Sequence, residues 1–207
     1  MRRRATTSPR SDAARKRLRP ADWVAAGFRT LAQSGAHAVG VDALARELGA
    51  TKGSFYWHFD DLAALKSAML QAWEQLATTD ITAAVRSAPL APQDRLFLLM
   101  EKVSVTPGDE FGGLAIEPAI REWGRAEPLA RAAVERVDRQ RLADLRDFLR
   151  AAGLAPLAIS QAAVVIYAAV IGLESLRLSA GVGMREPLLA LVEQILTTAP
   201  RADTGAD

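Results

Sequence analysis

The sequence predicts an all-α protein of about nine helices, three short ones followed by longer ones, and three observations carry that expectation. Apolar residues recur at three-and-four spacing along most of the chain. Proline stands at the start and glycine at the end of several of these stretches. Helices impose that asymmetry, because a first turn has no use for the N–H that proline lacks and glycine tolerates the left-handed backbone of a helix end. No segment alternates at period two for long enough to make a strand.

Taken in order, residues 1–19 show no periodicity and almost no large apolar side chain, so a disordered basic arm is expected there. Pro20 opens a helix with Trp23, Val24, Phe28, Leu31 and Ala32 on one face, closed by Gly35. A second runs from Val41 to Leu48 and stops at Gly49; a third starts after Thr51, a good N-cap, and reaches about Phe59. Asp60 or Asp61 caps a much longer helix through Lys66, Met69, Trp73 and Leu76, which Pro89 must end. Pro92 and Asp94 start the next, carrying Leu96, Leu99, Met100 and Val103. Residues 106–113 (TPGDEFGG) are a loop by composition.

Pro118 then allows a helix through Trp123, and Pro128 starts another that runs to Gly153. The polar face of the latter (Arg131, Glu135, Asp138, Arg139, Asp144, Arg146) is expected at the surface. The last two helices, about residues 158–180 and 186–198, are far more apolar, and residues 200–207 are expected to form a loose tail. The resulting organisation is an arm (1–19), a three-helix unit (20–66), a larger helical body (67–199) and the tail.

Composition narrows the function classes. A chain of 207 residues buries a core without disulfides or metal, and with no cysteine it offers no thiol chemistry, Fe–S cluster or Cys-ligated zinc. No cofactor is expected. The longest uninterrupted apolar run, Ala162 to Leu173, is shorter than the roughly 20 residues of a bilayer span, so no membrane partner is expected and the default location is the cytoplasm. Lys and Arg number 26 against 24 Asp and Glu, but this near-neutrality is a cancellation. Residues 1–20 carry eight basic side chains (Arg2, Arg3, Arg4, Arg10, Arg15, Lys16, Arg17, Arg19) against Asp12 alone. The remainder is mildly acidic, and a basic arm on such a body points to nucleic acid or a membrane surface.

Three short helices joined by tight glycine-containing turns have the composition of a helix-turn-helix unit. Leu44, Leu48 and Phe55 supply its core, Ala45 is small where the helices cross, and Gly49 permits the turn. Thr51, Lys52, Gly53 and Ser54 then open a helix that such a unit presents to a major groove. The stretch Phe55-Tyr56-Trp57-His58-Phe59 holds four of the chain's twelve aromatics. Phe55 and Phe59 share a face and belong in the core; the Tyr56 hydroxyl and a His58 ring N–H suit phosphates. Trp57 is expected at least as readily against the following helix as against DNA.

Residues 20–66, with AVGVDALARELGATKGSFYWHFDDLAALKSAML, resemble the amino-terminal domain of the TetR family of bacterial transcriptional repressors. The turn, the Thr-Lys-Gly-x-x-Tyr-x-His-Phe helix and the long helix that follows occur in that family's order. The resemblance implies a homodimer that places its third helices in successive major grooves of a double-stranded DNA operator, and a carboxy-terminal domain that binds a small-molecule effector and dimerises. It puts Thr51, Lys52, Gly53, Tyr56, His58 and Lys66 on DNA-contact positions. Two departures remove phosphate contacts: Gly40 stands where the family has Ser or Thr, and Leu62 where it has Lys. From Ala21 to Lys66 acidic residues outnumber basic ones, so the arm is expected to supply the missing positive charge.

The carboxy-terminal body contains no nucleotide loop, metal spacing or nucleophile–base pair. By the resemblance it encloses a pocket, for which Met69, Trp73, Phe97, Met100, Phe111, Trp123, Tyr167 and Glu174 are candidates. Glu117 and Arg121, four apart, read as a surface ion-pair ladder. Glu174 interrupts the most apolar helix and is left open between pairing with Arg177, bonding across a dimer and lining the pocket. Val170, Leu173, Leu178, Leu188, Leu191, Val192 and Ile195 are the candidate dimer residues. An enzyme would need a partner base for Glu117 or Glu122, and a helical scaffold without DNA binding would leave Thr51, Lys52, Ser54 and Tyr56 unexplained.

Overall fold

A computed structural model of the chain describes residues 18–202. Nine helices run through them: α1 Pro20–Ser34, α2 Val41–Glu47, α3 Lys52–Tyr56, α4 from Leu62 to Ser87, α5 Pro92–Val103, α6 Ile116–Ala126, α7 Pro128–Ala151, α8 Pro156–Ala180 and α9 Arg185–Thr198. Among the described residues the only β-type pairing is an isolated bridge, Leu154 to Arg201. Two caps are as expected from sequence: Thr51 Oγ1 accepts the Ser54 N–H (3.2 Å) and Asp61 Oδ1 accepts the Ala64 N–H (2.7 Å); at α1 the Asp22 carboxylate accepts the Arg19 N–H (2.7 Å). Gly40 caps α2 without a side chain to offer.

Helix α4 is continuous but not uniform. Two α-helical stretches, Leu62–Glu74 and Asp80–Ser87, flank a π turn over Gln75–Thr79. Such wide turns disturb the backbone ladder and are common at functional positions.

Two apolar clusters hold the fold. The first joins Trp23, Phe28 and Leu31 of α1, Leu44 of α2 and Phe55 of α3 to Leu65, Met69 and Trp73 of α4 and to Ile120 and Trp123 of α6. The helix-turn-helix core therefore continues past Lys66 into the body. Gly27 makes this possible: a Cβ there would lie 2.5 Å from Met69 Sδ. The second cluster packs Val85 of α4, Leu96 and Met100 of α5, Leu145 and Leu149 of α7, Ile166 of α8, and Leu188 and Val192 of α9.

Two expectations change, and α8 adds a further observation. The tail is pinned as far as Ala202, through Ala155 N–H to Pro200 O (2.9 Å), Ala202 N–H to Gly153 O (3.0 Å) and the Arg201 guanidinium on the Ala152 carbonyl (2.7 Å). Asp144 is buried, not surface, and accepts from Arg86 (2.7 Å), Gln140 (3.0 Å) and Thr82 (3.1 Å). Helix α8, despite its interruptions, is long and apolar enough to cross a membrane by length and composition alone. In the fold one side of it is core, through Ala158, Ile159, Ala162, Ala163, Ile166 and Val170.

Candidate functional site

Phe55 fixes the orientation of α3. Its ring is fully buried, edge-on to Trp23 (5.3 Å between centroids) and beside Phe59 (5.5 Å). Burying that face forces the others outward. Thr51, Lys52, Gly53 and Tyr56 are exposed, while Ser54 and His58 are half-buried at the edge. Trp57 is 87% exposed, so the expected packing against α4 does not occur. With Tyr56 beside it, 57% exposed, this indole offers apolar surface to whatever the helix meets.

The surface is not strongly cationic. Lys52 Nζ lies 2.7 Å from Asp42 of α2, and that hydrogen bond raises its pKa. Lys66 does not join this surface: it is only 16% exposed, 2.7 Å from Glu127 and 5.6 Å from the Trp123 ring centroid. Its stem is drawn toward the body, where the Lys66 hydrogen bond holds the Glu127 carboxyl below the usual range. Arg19 is exposed at the start of α1; Arg2, Arg3, Arg4, Arg10, Arg15, Lys16 and Arg17 lie outside the described residues.

A cavity of about 360 Å³ opens in the body between α4, α5, the 104–114 loop, α7 and α8. Five of the expected lining residues face it: Trp73, Met100, Phe111, Tyr167 and Glu174. Met69 and Trp123 do not, because both fill the first core, and Phe97 packs on the second. Val170, expected at a dimer interface, is buried on the cavity wall.

Glu117 and Arg141 set the polar side of the cavity. Glu117 is 6% exposed, contrary to a surface ladder, because α6 turns it toward α4, α7 and α8. It accepts from Trp73 Nε1 (2.9 Å), Arg121 Nε (3.1 Å) and both terminal nitrogens of Arg141 (2.9 and 3.2 Å). Burial alone would push its carboxyl up, but Arg141 and then Arg121 hold it below the ordinary value. Arg121 continues to Asp138 (2.8 Å), to which the Tyr167 hydroxyl also donates (2.6 Å). Arg141 also donates to Thr78 Oγ1 (3.0 Å) and the Ala77 carbonyl (3.1 Å), both in the π turn of α4. Sequence spacing gives no sign of Arg141, since one arginine on a charged helix is indistinguishable from its neighbours until the packing partner is known.

Glu174 lies on the cavity wall. Its Oε2 is buried without a hydrogen-bond partner. Burial, reinforced by the nearby Glu117 charge, pushes the carboxyl up to about 7. A folded pKa above the ordinary 4.5 stabilises only while the proton is held, so this contribution is full below about pH 4.5 and is lost as the pH rises through 7. Glu174→Gln, which cannot ionise, is expected to gain on the wild type by about 1–3 kcal/mol between pH 5 and pH 8. Thermal melts of both proteins across that range check it; a constant gap refutes it.

The remaining candidate dimer residues divide by exposure. Leu188 and Val192 are buried in the chain's own core, and Leu173, Leu191 and Ile195 are half-buried against it. Leu178 is exposed. The apolar surface that does face outward lies elsewhere on α8. Val164 (52% exposed), Val165 (51%), Ala168, Gly172 and Leu176 form a stripe along it.

Residues 24–84 match the family model described as bacterial regulatory proteins, tetR family. Comparison with curated protein sequences yields no match. Solved structures share the fold over most of the chain. A TetR-family transcriptional regulator from Streptomyces coelicolor superposes with a TM-score of 0.69 at 22% identity, covering 94% of this chain and 97% of that one. A transcriptional regulator from Rhodococcus sp. Rha1 gives 0.71 at 17% identity over 89% and 100%. A protein of Saccharomonospora viridis, solved in complex with choline, gives 0.66 at 18% identity over 86% and 95%. Residues 24–84, α1 through most of α4, thus carry the amino-terminal domain of the tetR family of bacterial regulatory proteins, and the chain shares its fold with solved transcriptional regulators through α9.

Proposed function

We propose that the protein is a cytoplasmic, ligand-responsive repressor that binds a pseudo-palindromic operator as a homodimer and leaves it when an effector fills the cavity. The outward face of α3 carries this reading: Thr51, Lys52, Gly53, Tyr56 and Trp57 stand exposed on a helix that Phe55 and Trp23 hold rigidly. Small and polar residues at the helix start admit close approach to base edges, and Tyr56 and Trp57 present donors to phosphates and apolar surface to thymine methyls. Ser54 and His58 border this face. Two such helices about 34–36 Å apart read successive major grooves. The basic residues before Leu18, together with Arg19, add charge that α1–α3 lack.

The route from cavity to DNA runs through α4. Its π turn contributes Leu76, Ala77 and Thr78 to the cavity wall, and its first stretch shares a core with α1–α3. A ligand that favours one arrangement of that turn changes the spacing of the two recognition helices and shifts the population off DNA. The choline held by one solved neighbour supports a small-molecule role for this fold.

Selecting bound fragments from a genomic library tests the proposal, the expected product being a palindrome. On that DNA, Tyr56→Ala with Trp57→Ala is expected to weaken binding about tenfold to a hundredfold, with helix content unchanged. A protein starting at Leu18 is expected to bind with a shallower salt dependence, about 0.9 less in slope for each phosphate that the arm no longer neutralises. No enrichment from the library, with folded protein, refutes the DNA-binding role.

A further inference from the structure

The cavity wall contains an acid that the protein itself does not answer. Glu117 is met by Arg141, Arg121 and Trp73, and Asp144 by Arg86, Thr82 and Gln140. Glu174 Oε2 is buried and accepts nothing. Arg177, one turn further along α8 and also on the cavity wall, donates instead to the Ser104 carbonyl, the Thr106 hydroxyl and the Met184 sulfur. A buried acceptor without a donor is costly, and a ligand that brings the donor recovers that cost as affinity.

Resting on the reading of this cavity as the effector site, we infer that it takes an apolar molecule ending in a protonated amine, whose N–H groups bond the Glu174 carboxylate. The unanswered oxygen calls for a donor. Arg121 and Arg141 are spent on Glu117 and Asp138, Arg86 on Asp144, and Arg177 on Ser104, Thr106 and Met184, so of the wall's acids Glu174 alone has a buried oxygen that no side chain meets. A carboxylate ligand would bring Glu174 Oε2 no donor. The rest of the molecule lies along Trp73, Met100, Phe111 and Val170, which offer carbon surface. An N–H to carboxylate bond is stronger than its neutral counterpart, which gives the amine its advantage over an alcohol of equal length.

Because burial pushes the Glu174 carboxyl up to about 7, the ammonium replaces a proton that the empty site partly holds. The groups facing this position are Lys102 on α5, Glu117 and Arg121 on α6, Arg141 and Asp144 on α7, and Tyr167 and Arg177 on α8. Glu117 is held down by its arginines, and burial pushes the Tyr167 hydroxyl up to about 12. Glu174 is left to titrate between pH 6 and pH 8.

Calorimetric titration of the full chain with decylamine, decanol and decanoate tests the inference, with operator binding measured separately in the presence of each. Decylamine is expected to bind at least tenfold more tightly than the other two at pH 8, and its affinity to rise several-fold from pH 6 to pH 8 while that of decanol does not. Glu174→Gln is expected to abolish the preference. Decanol or decanoate binding as well as decylamine, no binding by decylamine, a preference kept in Glu174→Gln, or a decylamine affinity flat from pH 6 to pH 8 overturns it. Decylamine binding that leaves operator affinity unchanged supports the amine site and refutes the effector role, so the two can fail separately.

Discussion

Replacing Arg141 with methionine is expected to destabilise the protein by about 3–5 kcal/mol, because removing one member of a buried ion pair leaves the other charge without compensation. Methionine keeps much of the arginine's carbon stem, so the loss is chiefly one of charge and donors. Arg141 meets Glu117 with two nitrogens and also bonds Thr78 and the Ala77 carbonyl. Without it, Glu117 retains Arg121 and Trp73 while staying buried, and the burial that now opposes its charge is only partly offset. The sign of the pH dependence follows. In the wild type the depressed Glu117 pKa contributes stability above the ordinary carboxylate range, and this is lost as the pH falls through the lower folded value. The gap between wild type and Arg141→Met is therefore widest near pH 7 and narrows in acid. Glu117→Gln added to Arg141→Met removes the stranded charge and is expected to recover part of the loss, a coupling that urea denaturation of the four proteins measures. Additive losses would mean that the two side chains stabilise the fold independently. The same substitution frees two acceptors of the α4 π turn, so a link between cavity and DNA through that turn also predicts a weaker effector response in whatever folded Arg141→Met remains.

The fold is legible in the sequence because helices announce their own ends. Pro20, Pro92 and Pro128 sit at first turns, Gly35 follows α1 in the left-handed region, and Pro89 ends α4 within two residues of Ser87. The π turn leaves no comparable mark: Gln75 to Thr79 contain neither proline nor glycine, and the turn is set by packing. The recognition face is legible for a similar reason, since Phe55 and Phe59 are four apart and fix which side is buried. Trp57 misleads because hydrophobicity suggests burial while its register, two residues past Phe55, points it to water. Spacing places two residues on one side of a helix but does not say which side meets the protein. That is why Glu117 and Asp144 read as surface charges, and why the apolar Leu188 and Val192 of α9 read as an interface when they are core.

If the protein is the homodimer proposed above and pairs through α8, Ala168→Glu is expected to leave it monomeric and to weaken operator binding by about a hundredfold or more, the largest effect anticipated for a single surface change. The reason lies in what α8 leaves uncovered. Val164, Val165, Ala168, Gly172 and Leu176 expose apolar surface along one stripe, and a Cβ built on Gly172 would meet nothing within 4 Å. Bare backbone among small side chains permits a second helix to approach closely, and a soluble protein gains by burying such a stripe against a copy of itself. A glutamate at its centre places two like charges near the symmetry axis, where neither finds a counter-ion. Since Ala168 already faces solvent, the subunit's own packing is untouched and its helix content should be unchanged. Operator affinity falls because two linked recognition helices reinforce each other at an effective concentration that a free subunit cannot reach, a gain of roughly 10²–10⁴. Sedimentation of both proteins at micromolar concentration, followed by titration of one operator, separates the possibilities. A variant that stays dimeric moves the interface off this stripe. A variant that is monomeric yet binds as tightly as wild type would mean that each recognition helix reads its half-site unaided, and the pairing of half-sites would lose its role in the mechanism.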